Sequence, residues 1–505
     1  MIPNTYVAYF APEILLTIWA MGLLLAEAFL SLSPRVVAAW ALGGLAIAAI
    51  ITLCLDSTPI LFWGGVSKWD GAAKFFHLFF LVVAALVIWM GDEVQEPVPH
   101  GGGEFVVLPL FTTAGLMLLA SANDFILLFI ALELVTISFY ILVAYHRRSL
   151  VALEAGVKYL ILGGLSSAFL VMGVAYIFGL TGCTRFDLIG ARLHDQPLPP
   201  GVAFGLLLVI TGIGFKIAMV PFQSWAPDVY EGAPNSITAF LSVGSKAGGF
   251  IILMRVVLGL FNTQAAAAIW IPVLSVGAIA SLLLGNLAAI PQRNLKRMLG
   301  YSSIGHTGFI LVAIVGAATV LTGKVLPFNN DAQTGQTAVM VYLVTYLLAT
   351  FTAFIVLAVL ERRLPGLEIH HLAGLSQRSP LLSAALALSL VSMAGVPPLS
   401  GFIAKMMVIL VAWNRGLYTL LGFTIFAAVA ALYYYLGPIK AMYWSEPLDE
   451  TPIRVNRVTS AVLIVLIFLL LLTGFWANSM APLINGATLA QSSASATTTV
   501  ALVQH

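Results

Sequence analysis

Apolar stretches long enough to cross a bilayer recur along almost the whole chain, and they constrain its fold more than any other feature. About 20 predominantly apolar residues, rising ~1.5 Å each as a helix, match the ~30 Å hydrocarbon layer of a membrane. Such stretches lie at 10–31, 36–55, 74–91, 105–120, 123–144, 153–180, 201–222, 235–261, 268–290, 299–317, 335–360, 380–410, 417–437 and 457–476, each bounded by charge, Pro/Gly or Asn/Asp. Only 9% of the 505 residues are charged, against about 25% in soluble domains, and the mean hydropathy is +1.02. No water satisfies backbone groups inside a bilayer, so uncharged stretches of this length become helices. The expected fold class is all-α integral membrane: about 14 transmembrane helices in a single polytopic domain over 1–505, with the lipid bilayer as its surroundings. The net charge of +2 comes without a basic patch, which gives nucleic acid nothing to bind.

The first stretch contains Glu13 and Glu27 and is longer than a signal-peptide core, so it reads as a retained span. Cys54 and Cys183 stand far apart, with no metal-ligand or disulfide spacing, and read as packing residues. Gly201/Gly205 and Gly244/Gly248 have the spacing of close helix contacts. With the N-terminus outside, Lys and Arg in the inner connections, such as Arg147, Arg148, Arg293, Lys296 and Arg297, are roughly twice as frequent as outside. An even span number then puts the C-terminus outside as well. The Ala-, Ser- and Thr-rich segment 477–505 reads as a flexible tail.

Five cationic residues fall inside apolar stretches, Lys158, Lys216, Lys246, Arg255 and Lys405, and Glu133 sits inside another. A charge at mid-bilayer costs at least ~2.5–3.5 kcal/mol on insertion scales, so such residues face the bundle interior, find partners or line a water path. Glu133 and Lys246 fall near mid-depth, and Lys216 lies deep, just before Pro221. Arg255 lies near the outer end of its span, where its guanidinium is expected to reach water. Lys158 lies one to two turns from the inner side and reads equally as functional or as a snorkelling side chain. Burial favours the neutral amine and a nearby carboxylate favours the ammonium. A buried Lys whose Glu partner changes distance would therefore bind and release a proton.

Two helix breaks stand beside these lysines, Phe215–Pro221 and Ala394–Lys405. Proline removes a donor and interrupts a helix, and paired broken helices in two halves of a chain suggest inverted repeats around a midplane site. His306 could relay protons or be a hydrogen-bonded core histidine. The sequence holds no Walker A loop, dinucleotide fingerprint or cysteine-ligated cluster.

The runs LASANDFILLFIALEL ending at Leu134, EAGVKYLILGGLSSAF from Glu154, FKIAMVPFQSWAPDVYEGAPNSITAFLSVGSKAGG from Phe215, RNLKRMLGYSSIGHTGF from Arg293, HLAGLSQRSP from His371 and SMAGVPPLSGFIAK from Ser392 resemble the antiporter-like membrane subunits of NADH:quinone oxidoreductase (respiratory complex I). The EAGVKYLILGGLSSAF run is most similar to subunit N. The resemblance implies two inverted five-helix repeats, at 105–261 and 268–440, with two broken helices. It implies proton translocation through Glu133, Lys216, Lys246, Lys405, Lys158 and His306, coupled to quinone reduction elsewhere. It implies no cofactor or metal in this chain; NADH, FMN, iron–sulfur clusters and quinone would belong to partner subunits, which include the sister antiporter-like subunits. It also implies a bacterial inner membrane with both termini periplasmic. Cation/proton antiporters and a ferredoxin-fed relative share much of the pattern. Gln223 stands where related subunits often carry His; an amide cannot carry a proton, so a relay there would pass through water or His306 instead. Ala404 replaces a frequent Gly before Lys405.

Overall fold

The computed structural model describes residues 8–30, 32–93, 102–193, 197–318, 331–364, 366–447 and 449–476, together with Met480, Ile484 and Leu489. Twelve helices among them are long and apolar enough to cross a bilayer, and two further crossings are broken. The helices are α1 (Ala11–Leu30), α2 (Pro34–Cys54), α3 (Gly71–Glu93), α4 (Gly102–Ser121), α5 (Phe125–Val143) and α6 (Leu150–Thr181). The first broken pair follows, α7a (Pro200–Lys216) and α7b (Trp225–Gly232), and then α8 (Asn235–Leu260), α9 (Gln264–Ala289), α10 (Leu295–Gly316) and α11 (Asp331–Glu361). The second broken pair, α12a (Pro380–Ala394) and α12b (Ser400–Asn414), precedes α13 (Tyr418–Trp444) and α14 (Arg457–Phe475). All fourteen expected crossings are present, within a few residues at most ends.

Local chemistry sets these ends. The Asp124 carboxylate accepts from the Ile126 N–H at 2.7 Å, and the Asn294 side chain accepts from the Arg297 N–H at 3.1 Å. Each satisfies a donor left open in a first helical turn. Pro34, Pro200 and Pro380 open their helices, where a missing N–H costs nothing. Gly395 closes α12a with φ +86°, a left-handed conformation that suits glycine.

Burial orders the helices from centre to rim. The apolar window of α8 is wholly buried and those of α10 and α11 nearly so, whereas α1 is only 22% buried. Glycines let neighbouring helices approach: a Cβ on Gly205 would lie 2.8 Å from the Gly173 carbonyl oxygen. Between α2 and α3 stands a small antiparallel hairpin that the sequence reading did not foresee, β1 (Ile60–Phe62) and β2 (Ser67–Trp69), with Ile60 opposite Trp69. Its Phe62 and Trp69 pack with Ala73, Tyr9 and Phe10.

Arg255 departs from expectation. Its guanidinium does not reach water: it is 5% exposed and meets Asp70 through two hydrogen bonds, of 2.9 and 3.2 Å, while Nε donates to the Ala120 carbonyl at 2.6 Å. Asp70, which precedes the third apolar stretch, also accepts from the Ala73 N–H at the start of α3. A buried counter-charge with further hydrogen bonds replaces the water that a snorkelling side chain would seek. Most of the segment 477–505, expected to be flexible, lies outside the described residues. Met480, Ile484 and Leu489 within it are buried, and the Leu489 N–H donates to the Gln336 side chain at 2.8 Å.

Candidate functional site

The two broken crossings expose backbone carbonyls at depth, and the buried polar side chains gather around them. α7a ends at Lys216, and the chain turns through Ala218 at φ +55° and a cis Val220–Pro221 bond before α7b. The carbonyl of Ile217 is freed by this turn and accepts the Thr307 hydroxyl of α10 at 2.7 Å. Lys246 of α8 in turn donates to Thr307 at 3.3 Å, to the Ser303 hydroxyl at 2.9 Å and to the Ser303 carbonyl at 2.8 Å. The second break is built alike, with a cis Pro397–Pro398 bond. There the last carbonyl of α12a, that of Ala394, accepts Lys405 Nζ of α12b at 2.8 Å. Backbone oxygens released at membrane depth are thus met by protein donors, as the absence of water demands.

Lys216, Lys246 and Lys405 are each 3–4% exposed. Lys216 donates to the Thr136 hydroxyl of α5. Glu133 lies three residues before Thr136, on the same helical face, and its carboxylate accepts from the Ser167 hydroxyl at 2.5 Å. Glu133 and Lys216 do not form a direct ion pair; among the described residues none of Glu133, Lys216, Lys246 and Lys405 has an ion-pair partner. Lys405 Nζ also lies 4.8 Å from the Phe309 ring centroid.

Between the two breaks stands His306. Its Nδ1 is 2.6 Å from the Tyr342 hydroxyl, and Nε2 is 3.2 Å from the Tyr435 hydroxyl, which also bonds Ser302. A cavity of about 10 Å³, counted as space for the centre of a water molecule, lies between His306 and Lys405, lined also by Tyr342, Tyr346, Thr345 and Ser392. That volume is about the least that holds one water, and in a wall that is mostly apolar the imidazole, the ammonium and the hydroxyls would be its partners. Around the two breaks the interior therefore gathers five buried or partly buried ionisable groups, Glu133, Lys216, Lys246, His306 and Lys405, each bonded to a hydroxyl or a backbone carbonyl.

Lys158 lies apart from these five. It is 43% exposed and bonds Glu154 and Asp228, each at 2.7 Å. Asp228, on α7b, also receives Arg297 of α10 at 2.7 Å, so the cluster ties α6, α7b and α10 at one edge of the bundle. Gln223 is partly exposed, and its Oε1 has no hydrogen-bond partner. The residues that sequence reasoning missed are the hydroxyl partners Thr136, Ser167, Ser303 and Thr307, and the tyrosines around His306. Among the described residues no cluster of three or more His, Cys, Asp or Glu could hold a metal ion.

Residues 122–431, which contain every candidate above, match the family model described as NADH:quinone oxidoreductase/Mrp antiporter, TM. The chain is 38% identical over 469 residues to NADH-quinone oxidoreductase subunit N of Rhodospirillum rubrum, covering 91% of this chain and 93% of the relative. In three dimensions it is similar to a chain of respiratory complex I from Thermus thermophilus solved with bound aureothin, with TM-score 0.77 and 30% identity over 93% of this chain and 98% of the other. It is also similar to a chain of the membrane-bound sulfane sulfur reductase, an archaeal respiratory membrane complex, with TM-score 0.84 and 25% identity over 95% and 97%. The chain therefore belongs to the NADH:quinone oxidoreductase/Mrp antiporter family of transmembrane proteins.

Proposed function

We propose that this chain is a non-redox, proton-translocating membrane subunit of an NADH:quinone oxidoreductase, acting as subunit N does. Protons would cross through Glu133, Lys216, Lys246, His306 and Lys405, driven by electron transfer from NADH to quinone in partner subunits that hold the FMN and iron–sulfur clusters. The observation that carries this reading is the gathering of three buried lysines at and between the two helix breaks, each bonded to a hydroxyl or a carbonyl and none to a carboxylate. A buried ammonium without a counter-ion is costly. The proton occupancy of each lysine therefore depends on the charge of its neighbours, and a change at one end can be passed along. On this reading 105–261 and 268–440 are the two inverted repeats, each contributing one break. The chain resides in a bacterial inner membrane, beside sister antiporter-like subunits, with both termini periplasmic. Lys158 sits in the ion cluster at one edge, where it would hold helices in register and supply protons to the interior.

The family model also describes Mrp antiporters, which favours cation/proton antiport as the second reading. Lys246→Ala and Lys405→Ala, made in the native operon, separate the two. NADH-driven quinone reduction and proton pumping should fall together in both variants while the chain still migrates with NADH-oxidising activity on native gels. Migration of the unmodified chain apart from that activity, with sodium–proton exchange lost in the same variants, would replace the first reading by the second.

A further inference from the structure

A second buried ionisable pair lies in the first three helices, ahead of the residues that the family model matches. Glu13 in the first turn of α1 is 2% exposed, and His77 of α3 is fully buried. Glu13 Oε1 and His77 Nε2 are 3.5 Å apart. That contact is not a hydrogen bond, because Nε2 is directed at the Met117 carbonyl of α4, 2.9 Å away. Neither carboxyl oxygen of Glu13 has a hydrogen-bond partner, and neither does His77 Nδ1. The hairpin closes the pair off: the Trp69 ring meets the His77 ring edge to face at 5.0 Å.

The surrounding charges do not satisfy the pair. Asp70, two turns before His77, is bound to Arg255 of α8, so the two largely cancel. Lys74 on α3 donates to the Leu53 and Leu55 carbonyls. Glu27 on α1 accepts the Gly103 N–H at the opposite end of α4, near Glu104. Arg35 and Cys54 stand at the two ends of α2, Asp92 and Glu93 at the far end of α3, and Tyr9 packs on the Trp69 ring.

An ionised carboxylate buried with no protein donor is costly. A proton removes that cost. Held on Glu13 it gives a neutral acid beside a neutral imidazole; held on His77, with both ring nitrogens protonated, it gives a carboxylate beside an imidazolium. The two arrangements hold the same number of protons. We propose that Glu13 and His77 form a proton-binding site separate from the lysine line, holding one exchangeable proton beneath the aromatic hairpin.

Infrared spectroscopy of the intact complex that contains this chain, purified from its own membranes, tests the assignment. The difference between wild type and Glu13→Gln should contain a carboxylic-acid carbonyl band at neutral pH. The band should move in D₂O, shrink as the medium is raised to about pH 9, within the range documented for buried glutamates, and shift in His77→Asn. If Glu13→Gln fails to assemble, Glu13→Asp should displace the same band. Absence of any such band overturns the proposal. So does a band indifferent to pH and D₂O, or one indifferent to His77→Asn. The result does not depend on which complex the chain serves.

Discussion

Thr307 joins the two lysine sites of α7a and α8 through one hydroxyl. It donates to the Ile217 carbonyl freed by the first break and accepts from Lys246. Thr307→Val keeps the shape of the side chain and removes both bonds. A buried acceptor left unsatisfied costs ~1–3 kcal/mol, and Lys246 loses its hydroxyl link to the first break. The variant should assemble with a lowered melting temperature, and its proton pumping should fall several-fold. Thr307→Ser restores the hydroxyl and should restore pumping. Normal pumping in Thr307→Val would remove the hydroxyl from the path. His306 differs in kind: both ring nitrogens face tyrosine hydroxyls, as those of a hydrogen-bonded core histidine do, and a relay through it would use the same hydroxyls.

Among the elements, α7b is held by charge as well as by packing. Asp228 bonds Lys158 of α6 and Arg297 of α10. Asp228→Asn should lower the melting temperature of the complex slightly, a partly exposed pair contributing ~1 kcal/mol or less. An unchanged melting temperature would mean that charge does not hold α7b in place. The crossings and the breaks were legible in the sequence because apolar length and proline act locally, as at Pro221 and Pro397. The hydroxyl partners were not. A serine or threonine in an apolar helix most simply bonds its own i−4 carbonyl, as Thr136 also does to Leu132, and nothing local marks one that also meets a lysine.

At the scale of the whole molecule, α8 is the axis that both polar systems share. Lys246 near its middle serves the interior line, and Arg255, nine residues on, anchors the first three helices through Asp70. Depth in the sequence misread Arg255 because its partner lies outside any apolar stretch, some 185 residues earlier. The hairpin beside Asp70 escaped notice for a related reason: each strand has three residues, too few to show alternation. Removing one partner of a buried pair leaves the other charge uncompensated, at ~3–5 kcal/mol, whereas replacing both by apolar residues can be nearly neutral. Asp70→Asn should therefore strip most of the chain from the assembled complex, read as the amount migrating with it on native gels. Asp70→Leu combined with Arg255→Met should recover much of that loss, because no charge is then left buried. If the single variant assembles as well as wild type, the ion pair does not hold the first three helices to the body. If the double variant is as poorly assembled as the single, the guanidinium has a further role, for which its bond to the Ala120 carbonyl is the first place to look.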